Sequence, residues 1–115
     1  MIIEDERILA RNLKAFLVNR CSDVRVAHDG GQAIELLGSF APDVAVIDYG
    51  LPNMNGLETY GEMLLRCDRR IGCVLITGFP LEPIALSASA LGIRHLLCKP
   101  FSLAELQNMI EISTG

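Results

Sequence analysis

Short runs of β-branched and aliphatic residues alternate along the chain with longer segments in which apolar side chains return every three or four positions. The runs cover Met1 to Glu4, Val24 to Ala27, Val44 to Ile47, Val74 to Thr77 and Leu96 to Cys98. A short apolar run fits a strand, and a period near 3.6 fits a helix that buries one stripe. Val44-Ala45-Val46-Ile47 and Cys73-Val74-Leu75-Ile76 contain no polar position. Strands of that kind are covered on both faces, so the pattern predicts a parallel sheet between two layers of helices.

The first helix is expected over Asp5 to Asn19, with Leu9, Leu13, Phe16 and Leu17 on its apolar stripe. A second runs from Gly31 to Phe40, between Asp29-Gly30 and Pro42, and a third from about Leu57 to Cys67. The fourth opens near Pro83 and ends before Gly92, and Ser87-Ala88-Ser89-Ala90 supplies it with little apolar area. The last, Leu103 to Ile112, has Ser102 as N-cap and Glu105 completing a capping box, with Leu103, Leu106, Met109 and Ile110 facing inward. Strict βα alternation with right-handed crossovers predicts an α/β, flavodoxin-like fold: a doubly wound five-stranded parallel sheet of order 2-1-3-4-5 flanked by five helices.

The 115 residues suffice for one domain, expected to span 1–115. Ten basic residues against fourteen acidic ones leave a net charge of -4, the wrong sign for neutralising nucleic-acid phosphates, so no direct nucleic-acid partner is expected. No segment approaches the length of a membrane span, and Glu4-Asp5-Glu6 follows Met1-Ile2-Ile3 where a secretory signal would be basic and then apolar. The expectation is a cytoplasmic protein without a membrane partner. Cys21, Cys67, Cys73 and Cys98 lack paired CxxC spacing and His28 and His95 stand alone, so no zinc site is expected. The thiols read as small buried hydrophobes and the histidines as structural residues.

In open α/β sheets the reactive crevice lies beyond the carboxyl ends of the strands. Glu4 and Asp5 close the first run, Asp48 follows the third, Thr77 closes the fourth and Lys99 follows the fifth. Singly these could be a helix cap, a turn residue, strand filler and a solvated charge; together on one rim they point to a site. Three carboxylates in a partly buried crevice repel one another unless a cation or protons compensate. Mg2+, with Mn2+ as a substitute, suits oxygen donors: Asp5, Asp48 and one backbone carbonyl suffice, with Glu4 reaching the ion directly or through water. Asp48 then becomes a nucleophile toward phosphorus. Lys99 and the Thr77 hydroxyl with a nearby backbone N–H are placed to neutralise the phosphoryl oxygens, and Gly78 leaves their approach open.

These strings resemble the receiver domain of bacterial two-component response regulators over essentially the whole chain. Glu4-Asp5-Glu6 is similar to the acidic cluster after the first strand, and Asp48-Tyr49-Gly50-Leu51-Pro52-Asn53-Met54-Asn55-Gly56 to the phospho-acceptor loop. Leu75-Ile76-Thr77-Gly78 resembles the switch-threonine segment, and Leu97-Cys98-Lys99-Pro100-Phe101 the lysine-proline segment. The resemblance implies a phosphorelay switch, not a turnover enzyme. A sensor histidine kinase or histidine phosphotransfer protein would phosphorylate Asp48, with Mg2+ on Asp5, Asp48 and the Gly50 carbonyl, supported by Glu4. The aspartyl phosphate would then control an output domain or downstream protein. It further implies a cis Lys99-Pro100 bond and a partner face, including a homodimer contact, on the fourth helix, fifth strand and fifth helix.

Three features depart from the family pattern: the first strand is short, Leu96 stands where an aromatic ring is usual, and prolines mark the fourth helix. Switching is therefore expected through displacement of residues 79–91, driven by Thr77, with Leu96 repacking. Gly50 is expected to open the approach to Asp48 and Phe79 to shield it. The missing ring also supports a rival, a receiver-like interaction module that works without phosphorylation. A nucleotide-binding protein of the same fold class would need a glycine-rich loop where Glu4-Asp5-Glu6 stands.

Overall fold

The computed structural model describes residues 1–21 and 23–114, the side chain of Thr114 excepted; Ser22 and Gly115 of the expected 1–115 domain lie outside the described residues. Among them the elements run β1 (Ile2–Ile3), α1 (Arg7–Leu17), β2 (Val26–Ala27), α2 (Gly30–Leu36), β3 (Val44–Asp48), α3 (Gly56–Leu65), β4 (Gly72–Thr77), α4 (Glu82–Ala90), β5 (His95–Cys98) and α5 (Leu103–Thr114). The strands form one parallel sheet of order β2-β1-β3-β4-β5, the expected doubly wound topology.

Side-chain alternation along the strands divides the interior in two. Ile3, Ala45, Ile47, Cys73 and Leu75 face a layer made by Ala33 of α2, Tyr60 and Met63 of α3, and Ile84 and Ala88 of α4. Ile2, Val44, Val46, Val74, Ile76 and Leu97 face Leu13 and Leu17 of α1 and Leu106 and Ile110 of α5. Every residue of β3 and β4 is buried, as their unbroken apolar runs require. Short β1 lies inside the sheet, between β2 and β3.

Helix ends differ from the expected ones for local reasons. Helix α1 starts at Arg7, two residues late, because Glu6 takes the N-cap position and leaves Asp5 outside the helix. Helix α2 stops at Leu36 because the N–H groups of Gly38 and Ser39 turn to the carbonyls three residues back, tightening the final turn. Helix α3 carries a reciprocal capping box that the sequence pattern did not single out: Asn55 Oδ1 accepts from the Glu58 N–H and Glu58 Oε1 from the Asn55 N–H. The expected box of α5 forms between Ser102 and Glu105. Helix α4 contains Pro83 in its first turn and buries only Ile84 and Ala88; Gly92, at φ 83°, supplies the left-handed residue just beyond it.

Two burial expectations need correction. Leu103 remains 40% exposed, since it lies in the first turn of α5 ahead of the turns that reach the core. Only Cys73 of the four thiols is buried; Cys21 and Cys67 are half-buried, and Cys98, at the carboxyl end of the edge strand β5, is exposed.

Candidate functional site

Sheet register assembles the site. Ile3 pairs with both Ala27 and Ile47, so Glu4 emerges beside Asp48. Asp48 pairs with Ile76 and Thr77 with Cys98, so Thr77 and Lys99 arrive on the same rim. Backbone bonds continue the ladder past the strand ends: the Glu4 N–H donates to Ala27 O at 3.0 Å, Tyr49 N–H to Ile76 O at 2.8 Å and Lys99 N–H to Thr77 O at 2.8 Å. The loop after Asp48 folds back through a 2.8 Å bond from the Gly56 N–H to Tyr49 O. At Gly56 a Cβ would lie 2.5 Å from the Asp48 carbonyl oxygen, so only glycine lets α3 begin this close to the acceptor strand.

Carboxylate oxygens of Glu4, Asp5 and Asp48 lie within 4.8 Å of one another. Glu4 and Asp48 are buried and Asp5 is exposed. Lys99 Nζ stands 3.1 Å from Glu4 Oε1, 3.5 Å from Asp48 Oδ1 and 2.7 Å from Glu6 Oε2. Burial pushes Glu4 up to about 7, the hydrogen bond from the Glu6 N–H opposing it and the Asp48 charge adding to it. Burial raises Asp48 too, against the pull of Lys99, the neighbouring Glu4 carboxyl and the Gly50 N–H. Partial burial works against the Lys99 ammonium, but the hydrogen bond to Glu6 and the facing Glu4 and Asp48 carboxylates hold its pKa above the ordinary value. A single ammonium thus faces three carboxylates, with Asp5 close to two of them, and burial favours a proton on the Glu4–Asp48 pair that a cation could replace.

The donor set fits a hard divalent ion such as Mg2+. All three carboxylates supply oxygen, the donor such ions prefer. Glu4 Oε2 accepts from the Glu6 N–H at 3.1 Å, whereas buried Oε1 has no hydrogen-bond partner although it lies at ion-pair distance from Lys99. An ion or its bound water would satisfy that oxygen.

Thr77 is fully buried, and its Oγ1 accepts the Phe79 N–H at 2.9 Å. The Phe79 ring is half exposed and meets Tyr49 edge to face, with centroids 5.8 Å apart. A Cβ on Gly50 would come within 3.2 Å of that ring. Lys99-Pro100 is cis, as expected. His28 has a supporting role: its ring Nδ1 lies 3.0 Å from the Glu4 carbonyl oxygen and its backbone N–H donates to Gln32 Oε1. The structure brings the carboxylates of Glu4, Asp5 and Asp48 together with the Lys99 ammonium, and places Thr77 on the same rim by sheet register. Glu6 is the participant the sequence reading passed over; its signal was only its place in the acidic triplet, and its contact with Lys99 spans 93 positions of the chain.

A family model described as the response regulator receiver domain matches residues 1–111. The Regulator of RpoS of Escherichia coli (strain K12) is 32% identical over 111 residues, covering 96% of this chain and 33% of that protein. The chain thus spans about a third of that curated relative's length. Among solved structures, the N-terminal domain of an uncharacterized protein from Wolinella succinogenes superposes with a TM-score of 0.87 at 27% identity, covering 96% of this chain and 89% of that one. Response regulator protein TrrA from Thermotoga maritima, in complex with Mg2+ and BeF, shares the fold with a TM-score of 0.81 at 23% identity, over 96% of this chain and 94% of its own.

Proposed function

The chain belongs to the response regulator receiver domain family, and on that premise we propose that it is a phosphorylation switch whose acceptor is Asp48. The observation that carries the assignment is the crowding of Glu4, Asp5 and Asp48 on one rim with Lys99 against them. Asp5, Asp48 and the Gly50 carbonyl would hold Mg2+, with Glu4 bound directly or through water; Mn2+ would serve in its place. When bound, the ion offsets carboxylate repulsion and the negative charge of the incoming phosphoryl oxygens. The TrrA complex with Mg2+ and BeF supports this choice of ion.

An Asp48 carboxylate oxygen attacks phosphorus on a phosphohistidine. Its O–P bond forms as the N–P bond breaks, and the imidazole leaves with the electron pair. Lys99 follows one phosphoryl oxygen with its ammonium. The Thr77 hydroxyl turns its proton toward another, giving up the hydrogen bond it accepts from Phe79. The product is an aspartyl phosphate that lasts until water attacks it; the chain is a switch, not a turnover enzyme.

The donor is a sensor histidine kinase or histidine phosphotransfer protein, which places the reaction in the cytoplasm, and the recipient of the signal is an output domain or downstream protein. The exposure of Leu86 on α4 (84%), of Cys98 and of Leu103 supports a reading in which the α4–β5–α5 face receives that partner or a second copy.

Incubation with Mg2+ and a small phosphodonor, followed by intact mass measurement, tests the assignment. One phosphoryl group on the wild type and none on Asp48→Asn is expected; equal labelling of both proteins would reject Asp48. Leu96, half-buried where a switching ring is usual, favours the rival of phosphorylation-independent binding, which requires partner affinity to be the same with and without the phosphodonor.

A further inference from the structure

Glu6 is the N-cap of α1, a position where a side-chain oxygen ordinarily accepts a hydrogen bond from the first turn, yet it makes no such bond. Its carboxylate is spent on Lys99, at 2.7 Å. Among the three carboxylates paired with that ammonium this is the nearest, ahead of Glu4 at 3.1 Å and Asp48 at 3.5 Å. The two near partners differ in environment: Glu4 is buried, and Glu6 is 62% exposed. Water can replace Lys99 at Glu6 at small cost, whereas no such exchange is open to Glu4.

We infer that Glu6 is a positioning residue, an exposed counter-ion that parks the Lys99 ammonium in the unphosphorylated protein and competes with the phosphoryl oxygens for it. The inference rests on Asp48 as acceptor. An ammonium has three donors, and here they face three carboxylates. Once a phosphoryl group sits on Asp48, Lys99 serves it by letting go of the partner that is easiest to rehydrate, which is Glu6. The strength of the parking contact then sets how readily the switched state forms. A shorter acidic side chain at this position would keep the charge but not the contact.

The test titrates beryllofluoride, a phosphoryl mimic, into protein saturated with Mg2+, using wild type, Glu6→Gln and Glu6→Asp and reading affinity by calorimetry. Competition for Lys99 predicts about threefold tighter binding by both variants, the size suited to releasing one exposed ion pair. In metal-free protein, the Lys99 side-chain amine signal in a 15N NMR spectrum should be held in the wild type and averaged by exchange in both variants. Unchanged or weaker binding by Glu6→Gln overturns the inference. So does Glu6→Asp behaving as wild type, which would show that only the charge matters. Wild-type protein that fails to bind the mimic at all would instead bring down the acceptor assignment, and this inference with it.

Discussion

Buried Glu4 lies with its Oε1 3.1 Å from the Nζ of Lys99, a contact that joins the end of β1 to the loop beyond β5. Glu4 is pushed up from 4.5 to about 7, first by burial. The metal-free folded protein therefore binds more protons than the unfolded chain between those values, so its stability should fall as pH rises through that window, by about 3 kcal/mol at most. A bound Mg2+ would replace the proton, so its stabilising effect should grow over the same window. Thermal midpoints at pH 5 and pH 7.5, each in chelator and in Mg2+, check this; a gap between chelator and Mg2+ that is the same at both pH values would contradict it.

Gly56→Ala and Gly61→Ala should act in opposite directions although both lie in α3. A Cβ at position 56 meets the Asp48 carbonyl oxygen at 2.5 Å and Tyr49 Cα at 2.9 Å, both backbone atoms that cannot swing aside. The cost is expected to be about 1–3 kcal/mol, with slower labelling of the displaced Asp48. At position 61 nothing lies within 4 Å, so alanine should stabilise the helix by about 0.5–1 kcal/mol. Urea midpoints of the two variants give both signs.

Phe79→Ala should shorten the life of the phosphorylated state. The ring leans toward Gly50 and meets Tyr49 edge to face, and a ring standing there over the approach to Asp48 would limit the water reaching an acyl phosphate. Decay followed by intact mass after removal of the phosphodonor measures the lifetime. An equal or longer lifetime in the variant would rule out shielding.

Exchange of the Phe79 amide should accelerate when a phosphoryl mimic is added. Its N–H is held by Thr77 Oγ1, and a hydroxyl that rotates toward a phosphoryl oxygen releases it. The effect should extend through residues 79–91, because α4 is anchored by only Ile84 and Ala88. Protection across that segment that does not respond to the mimic would contradict a Thr77-driven displacement.

Much of this molecule was legible in its sequence because its strands are short apolar runs whose ends carry the chemistry. Unbroken apolar β3 and β4 implied helices on both faces, and in a parallel sheet all carboxyl ends fall on one rim, so Glu4, Asp5, Asp48, Thr77 and Lys99 could be grouped without coordinates. Exact helix ends were less legible. The stop of α2 at Leu36 depends on a tightened final turn, and the start of α1 at Arg7 on Glu6 adopting extended backbone; neither leaves a periodic mark.

Periodicity and order along the chain thus determined the topology and which residues share the rim, since both follow from local preference and the handedness of βα crossovers. Tertiary structure alone decided how the charges divide there: which carboxylates lose water, which stays wet, and which of them Lys99 leans on. Those outcomes depend on distances between residues far apart in the chain and on burial by side chains from several elements, and Coulomb interactions and desolvation respond to position in space and not to place in sequence.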